Sequence, residues 1–253
     1  MTIHALSDTT TLTGRSLRHV LRSPDTIITT AVMPIAFLLL FVYVFGGAID
    51  VDGANYVDYL LPGILLITIA SGVAYTAYRL FLDLQGGLVD RFRSMPIARS
   101  AVLWAHVLTS VVANLVALVI VTGVAFVMGF RTDAGVLAWL AVVGILVLFT
   151  LALTWLAVLS GLAAKSIDGA SAFSYPLIFL PFLSSAFVPT DDMPGPVRWF
   201  AEHQPVTPIV ETLRALLSGT AVGSTIWVAL AWCAGALFAA WIAANAISRR
   251  RLG

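Results

Sequence analysis

The sequence predicts an all-α membrane protein with six transmembrane helices. Three observations carry that reading. Of the 253 residues, 60% are hydrophobic and only 11% are charged, whereas soluble domains carry about 25% charged residues. The apolar residues gather into six stretches, each near the roughly 20 residues that an apolar helix needs to cross a bilayer. The basic residues fall almost wholly on one side of those stretches, as short loops facing the cytoplasm require. Backbone groups surrounded by lipid must bond within their own segment, so the stretches are helices and not open strands.

The chain begins with a cytoplasmic tail, residues 1–25, ahead of a membrane domain over residues 26–253. Within the tail, Leu12 to Arg22 places Arg15, Arg18 and Arg22 on one helical face, opposite Leu17, Val20 and Leu21. That pattern predicts a helix lying in the headgroup plane; read minimally, it is a basic flank that sets topology. Ser23 and Pro24 end it, and Asp25 or Thr26 can cap the next helix.

The first span runs from about Thr26 to Phe45 and stops at Gly46 and Gly47. It is too long for the apolar core of a cleaved leader, so it is expected to be retained. The others are Val57 to Leu82, Ala101 to Met128, Gly135 to Ala164, Gly169 to Phe187, and Thr225 to Ile247. The third and fourth exceed the thickness of the hydrocarbon core and must tilt or project. The fifth carries Pro176 and Pro181.

Six crossings put eleven of the fourteen basic residues on one side. These are Arg15, Arg18, Arg22, Arg79, Arg91, Arg93, Arg99, Lys165 and Arg249 to Arg251. Only Arg131, Arg198 and Arg214 fall opposite, among Asp58, Asp133, Asp191, Asp192, Glu202 and Glu211. Both termini are therefore expected in the cytoplasm.

Two segments outside the spans are more than connection. The first, Asp83 to Pro96, carries both signs of charge, is broken by Gly86 and Gly87 and is stopped by proline. Phe92 and Met95 form a small apolar face, flanked by Asp90, Arg91 and Arg93. A two-turn helix of that kind suits docking into a groove on another protein. The same residues also fit a solvated loop whose arginines only set topology. The second, Pro189 to Ser224, holds Pro205 and Pro208 and a short apolar helix over about Val206 to Leu217. Glu211 and Arg214 on that helix are spaced for an i,i+3 pair. With Pro176 and Pro181, this predicts broken or re-entrant helices forming an outer cap or gate over residues 188–224.

Ionisable groups are nearly absent inside the spans, which disfavours an ion pump or proton-coupled carrier. Tyr75, Tyr78, Asn114, Phe173 and Tyr175 are the candidates for a substrate path, although packing accounts for the aromatics and helix-to-helix hydrogen bonding for Asn114. A lone Cys233 excludes an internal disulfide and a thiolate metal cluster, and the four histidines form no HExxH or HxxxH pair. No GxxxxGK[ST] is present; Ser160 to Ser166 comes nearest, with Ala164 where glycine is needed before Lys165. No GxSxG elbow occurs either. The chain shows no catalytic residue and no metal site, and it cannot itself be a P-loop ATPase. From these residues alone, a passive channel, a lipid-organising protein and an intramembrane enzyme remain as rivals to a transporter subunit.

The wording of the cytoplasmic segment narrows this. Asp83, Gly87 and Asp90-Arg-Phe-Arg-Ser-Met-Pro-Ile-Ala-Arg-Ser100 resemble the coupling motif of type-2 ABC transporter permeases, in the daunorubicin-resistance branch found in actinobacteria. Tyr59-Leu-Leu-Pro-Gly63 and Glu202-His-Gln-Pro-Val-Thr-Pro208, followed by Glu211 and Arg214, fit the same branch. The likeness runs over essentially the whole chain. It implies the membrane subunit of an ATP-driven exporter of hydrophobic or amphiphilic molecules, set in an actinobacterial plasma membrane. Two such chains, identical or related, would pair, and two copies of a cytoplasmic ABC ATPase would hold the ATP and Mg. This chain would bind no cofactor and no nucleic acid. Residues 87–96 would form the coupling helix, with Asp83, Gly87, Asp90, Arg91, Phe92, Arg93, Met95 and Pro96 facing the ATPase. Helices one, two and five would line the exit path. Asp83 and Asp90 stand where glutamate is frequent in the family, with the charge preserved.

Overall fold

The computed structural model describes residues 24–46, 55–86 and 99–252. The expected interfacial helix over Leu12 to Arg22 and the coupling segment from Gly87 to Pro96 lie outside the described residues. Among the described residues every regular element is helical. In chain order these are α1 (Pro24–Leu40), α2 (Tyr56–Gln85), α3 (Arg99–Val127), α4 (Val136–Ala163), α5 (Ile167–Ser171), α6 (Ser174–Phe179), α7 (Gly195–His203), α8 (Val206–Leu217) and α9 (Thr225–Leu252). A π-helical turn, Phe41–Phe45, extends α1, and short 3-10 turns occupy Leu180–Leu183 and Thr190–Asp192.

Four helices contain stretches long and apolar enough to cross a bilayer: Tyr56–Gln85, Leu103–Val127, Val136–Ala163 and Thr225–Ser248. At 1.5 Å per residue, α2, α3, α4 and α9 are each about 42–45 Å long, more than the hydrocarbon core requires. Two shorter apolar stretches, Ala31–Phe45 and Ile167–Leu183, accompany them.

The ends of α2 follow local chemistry. The Asn55 side chain accepts from the Val57 N–H at 3.4 Å, satisfying one orphan donor of the first turn. At the other end the Gly86 N–H closes onto the Leu82 carbonyl at 2.8 Å. The chain thus breaks at Gly86, as its glycines predict, though three residues later than the expected Leu82 boundary. The first helix begins at Pro24, ahead of the anticipated Asp25 or Thr26 cap, because proline is well suited to a first turn where its missing N–H is not needed.

The fifth apolar stretch departs most from expectation. It is not one helix from Gly169 to Phe187 but α5, α6 and a 3-10 turn, then turns and a bend over 184–188. Pro176 has no N–H to offer the Ala172 carbonyl, and Pro181 has none for Leu177, so the i to i−4 ladder fails twice. A 3-10-type bond from the Tyr175 N–H to the Ala172 carbonyl at 3.3 Å marks the first break. All four prolines expected at the gate stand at or near the start of helical pieces instead of bending one. Pro176 and Pro208 are third residues of α6 and α8, Pro181 is the second residue of the 3-10 turn, and Pro205 stands at the α8 N-cap.

Helix α2 is the hub. In its most apolar window 78% of residues are buried, against 17% for α9. It packs against α1, α3, α4, α5, α6 and α8, while α9 lies along α4 and α8. The outward face of α9 carries Trp227, Trp232, Phe238 and Trp241. Such a face is at home in lipid, where apolar exposure costs nothing.

Most polar groups within the bundle find partners on helical terms, Asn114 Oδ1 being an exception. Thr68, Thr150 and Thr154 donate to the carbonyl four residues earlier at 2.7–2.8 Å. Thr76 of α2 donates to Ser110 Oγ of α3 at 2.8 Å, and Ser110 Oγ lies 3.3 Å from Thr154 Oγ1 of α4. Asn114, 2% exposed, donates to the Ser110 carbonyl at 2.9 Å. Its Oδ1 lies against Gly72 of α2, where a β-carbon would overlap it. Gly72 therefore sets how closely α2 and α3 approach.

We expect Gly72→Ala to destabilise the protein by about 1–3 kcal/mol through overpacking. Combining it with Asn114→Ala should recover most of that loss, because the added methyl then occupies the vacated amide space. Thermal unfolding in detergent of the single and double variants checks this; additive losses would contradict it.

Candidate functional site

The broken fifth stretch leaves a non-helical backbone, Ser184 to Val188, packed against the first turns of α2. In a membrane protein its N–H and carbonyl groups need partners from the protein itself, and the neighbouring elements supply them. Ser184 Oγ donates to the Pro181 carbonyl at 2.6 Å and accepts from the Ala186 N–H at 3.1 Å. The Ser185 N–H reaches Thr207 Oγ1 of α8 at 3.4 Å. Tyr56 OH donates to the Phe187 carbonyl at 3.4 Å. Gly63 admits the segment, since a β-carbon there would lie 2.6 Å from Ala186 Cβ.

Arg214 of α8 closes this arrangement. Its Nη2 donates to the Ser185 carbonyl at 2.9 Å and to the Tyr59 carbonyl at 3.1 Å. Tyr59 OH donates to the same Ser185 carbonyl at 2.9 Å. The guanidinium carbon stands 3.7 Å from the centre of the Tyr59 ring, a cation–π contact. One side chain thus fastens α2, the broken segment and α8. Burial lowers the Arg214 pKa, while Tyr59 and Glu211 raise it, and a guanidinium remains charged under such opposing influences.

The expected Glu211–Arg214 ion pair does not form. Glu211 is exposed, and the ion pairs of the described residues on this side are Arg198 with Glu202 and with Asp191, both at 2.7 Å. Arg214 turns instead toward backbone carbonyls, which have fewer alternatives than an exposed carboxylate.

The remaining candidates are dispersed. Tyr75 and Tyr78 of α2 have ring centres 6.1 Å apart, and Arg79 Nη1 donates to Tyr75 OH at 3.4 Å. Phe173 packs on the main core, whereas Tyr175 is 62% exposed. Asn114 is closed into the contact between α2 and α3. Of the residues expected to contact the ATPase only Asp83 is described; its Oδ2 lies 3.2 Å from His106 Nε2 of α3.

Sequence reasoning did not single out a cluster of phenylalanines between α1 and the broken segment. Phe41 lies 4.6 Å from Phe187 and 6.1 Å from Phe182, Phe37 lies 5.5 Å from Phe182, and Phe182 stacks on Phe187 at 4.7 Å. The spacing of Phe37, Phe41 and Phe45 at i, i+4 and i+8 was the available signal.

Comparison with known proteins gives a consistent neighbourhood. Residues 7–218 match the model of the ABC-2 type transporter family. The chain is 31% identical over 221 residues to the daunorubicin resistance ABC transporter permease protein of Streptomyces coeruleorubidus, covering 86% of this chain and 77% of that protein. It is 28% identical over 227 residues to a protein of Mycobacterium tuberculosis named as a probable doxorubicin resistance ABC transporter permease, covering 88% and 81%.

Replacing Arg214 removes two charge-assisted hydrogen bonds and a stacked cation. We expect Arg214→Ala to cost about 2–4 kcal/mol. Arg214→Lys should recover less than half of it, because an ammonium cannot stack flat while serving both carbonyls. Thermal unfolding in detergent reads both losses, and full rescue by lysine would refute the planar-fork role.

Proposed function

The chain belongs to the ABC-2 type transporter family, and from that premise we propose that it is the permease subunit of an exporter carrying hydrophobic or amphiphilic drugs across the cell membrane. The observation that carries this is a family likeness running through nearly the whole chain to permeases named for daunorubicin and doxorubicin resistance. Family membership sets aside the passive channel and the intramembrane enzyme. The chain has no nucleotide-binding motif, and ATP hydrolysis belongs to a separate ATPase subunit.

The proposal includes six crossings with both termini in the cytoplasm. Its support is the distribution of charge together with the course of the broken segment. That segment starts beside the end of α4, where Ser160 Oγ donates to the Ala170 carbonyl at 3.0 Å. It finishes beside the start of α2, at Tyr56 and Tyr59. Asp58, Arg131 and Arg214 then share one end of the bundle, and Arg79, Asp83 and Lys165 the other. Two permease chains, alike or different, would pair, with two ATPase copies beneath them holding ATP and Mg.

The mechanism rests on those positions. ATP binding draws the ATPases together and pushes the segment Gly87 to Pro96, through Asp90, Arg91, Phe92, Arg93 and Met95. The push passes into α2 and α3. At the far end of α2, the Arg214 clasp and the helices begun by Pro176, Pro181, Pro205 and Pro208 act as the outer gate, with Glu211 at its rim. Tyr75, Tyr78, Phe173 and Tyr175 would offer aromatic surface to a planar apolar cargo at separate points along the path, and Asn114 would hold α2 against α3 beside it. Such a device is a bistable element biased by nucleotide.

Arg91→Ala combined with Arg93→Ala should weaken capture of the ATPase in pull-down by about tenfold or more, with permease unfolding unchanged. Normal capture and normal doxorubicin export by that double variant would falsify the coupling assignment.

A further inference from the structure

Residues 87–98 join α2 to α3, so these two helices are the stems through which any force on that segment must pass. Among the described residues near the segment, the stems meet through a polar contact between Asp83 and His106. Asp83 lies in the last turn of α2 and His106 two turns into α3, with Nε2 3.2 Å from Oδ2 and side chains 34% and 17% exposed. Apart from Arg99, His106 is the only ionisable residue of α3. An imidazole in so apolar a helix has a desolvation cost that only a polar partner offsets, and Asp83 is that partner.

The surroundings make the pair part of a stiff unit. A second apolar cluster gathers Leu80 of α2, Leu103 and Val107 of α3, Trp155, Val158 and Leu162 of α4, and Ala240 and Ala244 of α9. Trp104 packs edge-on against Trp155 with centres 5.3 Å apart. Further into the bundle the Thr76–Ser110 hydrogen bond joins the same two helices at 2.8 Å. Asp83–His106 is the outermost of these two cross-links, nearest the segment.

We propose that His106 is a positioning residue for energy coupling: with Asp83 it clamps the two stems of the cytoplasmic segment, so that a push moves α2 and α3 together. Without the clamp, the same push spreads the stems apart and is spent before it reaches the outer end. This rests on the reading of Gly87 to Pro96 as the ATPase contact. His106 touches neither nucleotide nor cargo and acts only through Asp83.

Asp83 makes other interactions, so the test is placed on His106. The permease–ATPase complex is assayed in inside-out vesicles for doxorubicin accumulated per ATP hydrolysed. His106→Leu should still capture the ATPase and hydrolyse ATP, but accumulate about tenfold less doxorubicin per ATP, while His106→Gln, whose amide nitrogen reaches the Nε2 position, should stay within about twofold of the parent. A merely structural role would lower expression or stability without changing that ratio. If His106→Leu does not assemble, His106→Asn replaces it, since its shorter amide cannot reach Asp83. An unchanged ratio in the leucine or asparagine variant overturns the proposal, as does a glutamine variant as defective as either. The Arg91 and Arg93 double variant separates the two claims. If it binds ATPase and exports normally, the coupling reading fails; if it is defective while His106→Leu is normal, only the clamp fails.

Discussion

The structure turns on the rule that a backbone group in lipid must find its partner within the protein. Four long apolar helices satisfy the rule almost wholly through their own ladders, Pro62 of α2 being an interruption, and most of their buried hydroxyls fold back onto their own helix. The fifth apolar stretch cannot, because two prolines interrupt its ladder and leave Ser184 to Val188 outside any helix. The surrounding polar chemistry answers that break. Tyr56, Tyr59, Thr207 and Arg214 donate to or accept from this one short backbone. Thr207 and Arg214 also hold carbonyls outside the break, at Ala201 and Tyr59, so the same side chains tie the segment to α7 and α2.

Helix α2 is the element on which both ends depend. Its first turns receive the broken segment and the guanidinium of α8. Its last turn carries Asp83 and stands against α3. Between them lie residues so fully buried that α2 cannot bend freely without disturbing every neighbour, as a close-packed interior requires. In the proposed mechanism a helix so placed is the element that would carry displacement from one end to the other. Asn114 and Gly72 fix its separation from α3, and Gly161 against Ala77 and Leu80 fixes its separation from α4.

Much of this was readable in the sequence, for identifiable reasons. The apolar stretches of α2, α3, α4 and α9 announce themselves by length, and Val206–Leu217 by its apolar stripe between Pro205 and Ser218. Gly86 marks a helix end because glycine does so locally. The features that could not be read depend on residues far apart in the chain. Periodicity placed Glu211 beside Arg214 but could not reveal that carbonyls at Tyr59 and Ser185, 155 and 29 residues away, would compete for the guanidinium. They prevail because a buried carbonyl has no alternative in water, whereas Glu211 has. His106 was likewise silent: its partner lies 23 positions earlier on another helix, and a lone histidine carries no motif.

The same rule constrains how the outer end could ever open. Freeing Arg214 from Ser185 and Tyr59 exposes a charge and two carbonyls at once, and lipid offers none of them a partner. The cost falls only if water enters as the contacts part, since bridging water is nearly as good a partner as the groups it replaces. Opening and wetting must then be a single event, and the closed state must be dry for the same reason. Under the proposed export mechanism, an apolar path with one polar clasp at its outer end would have two low-energy arrangements, closed and dry or open and wet, with little between them. No ionisable group deep in the bundle is needed to drive the exchange. In that mechanism the displacement proposed to travel along α2 would decide which arrangement is occupied.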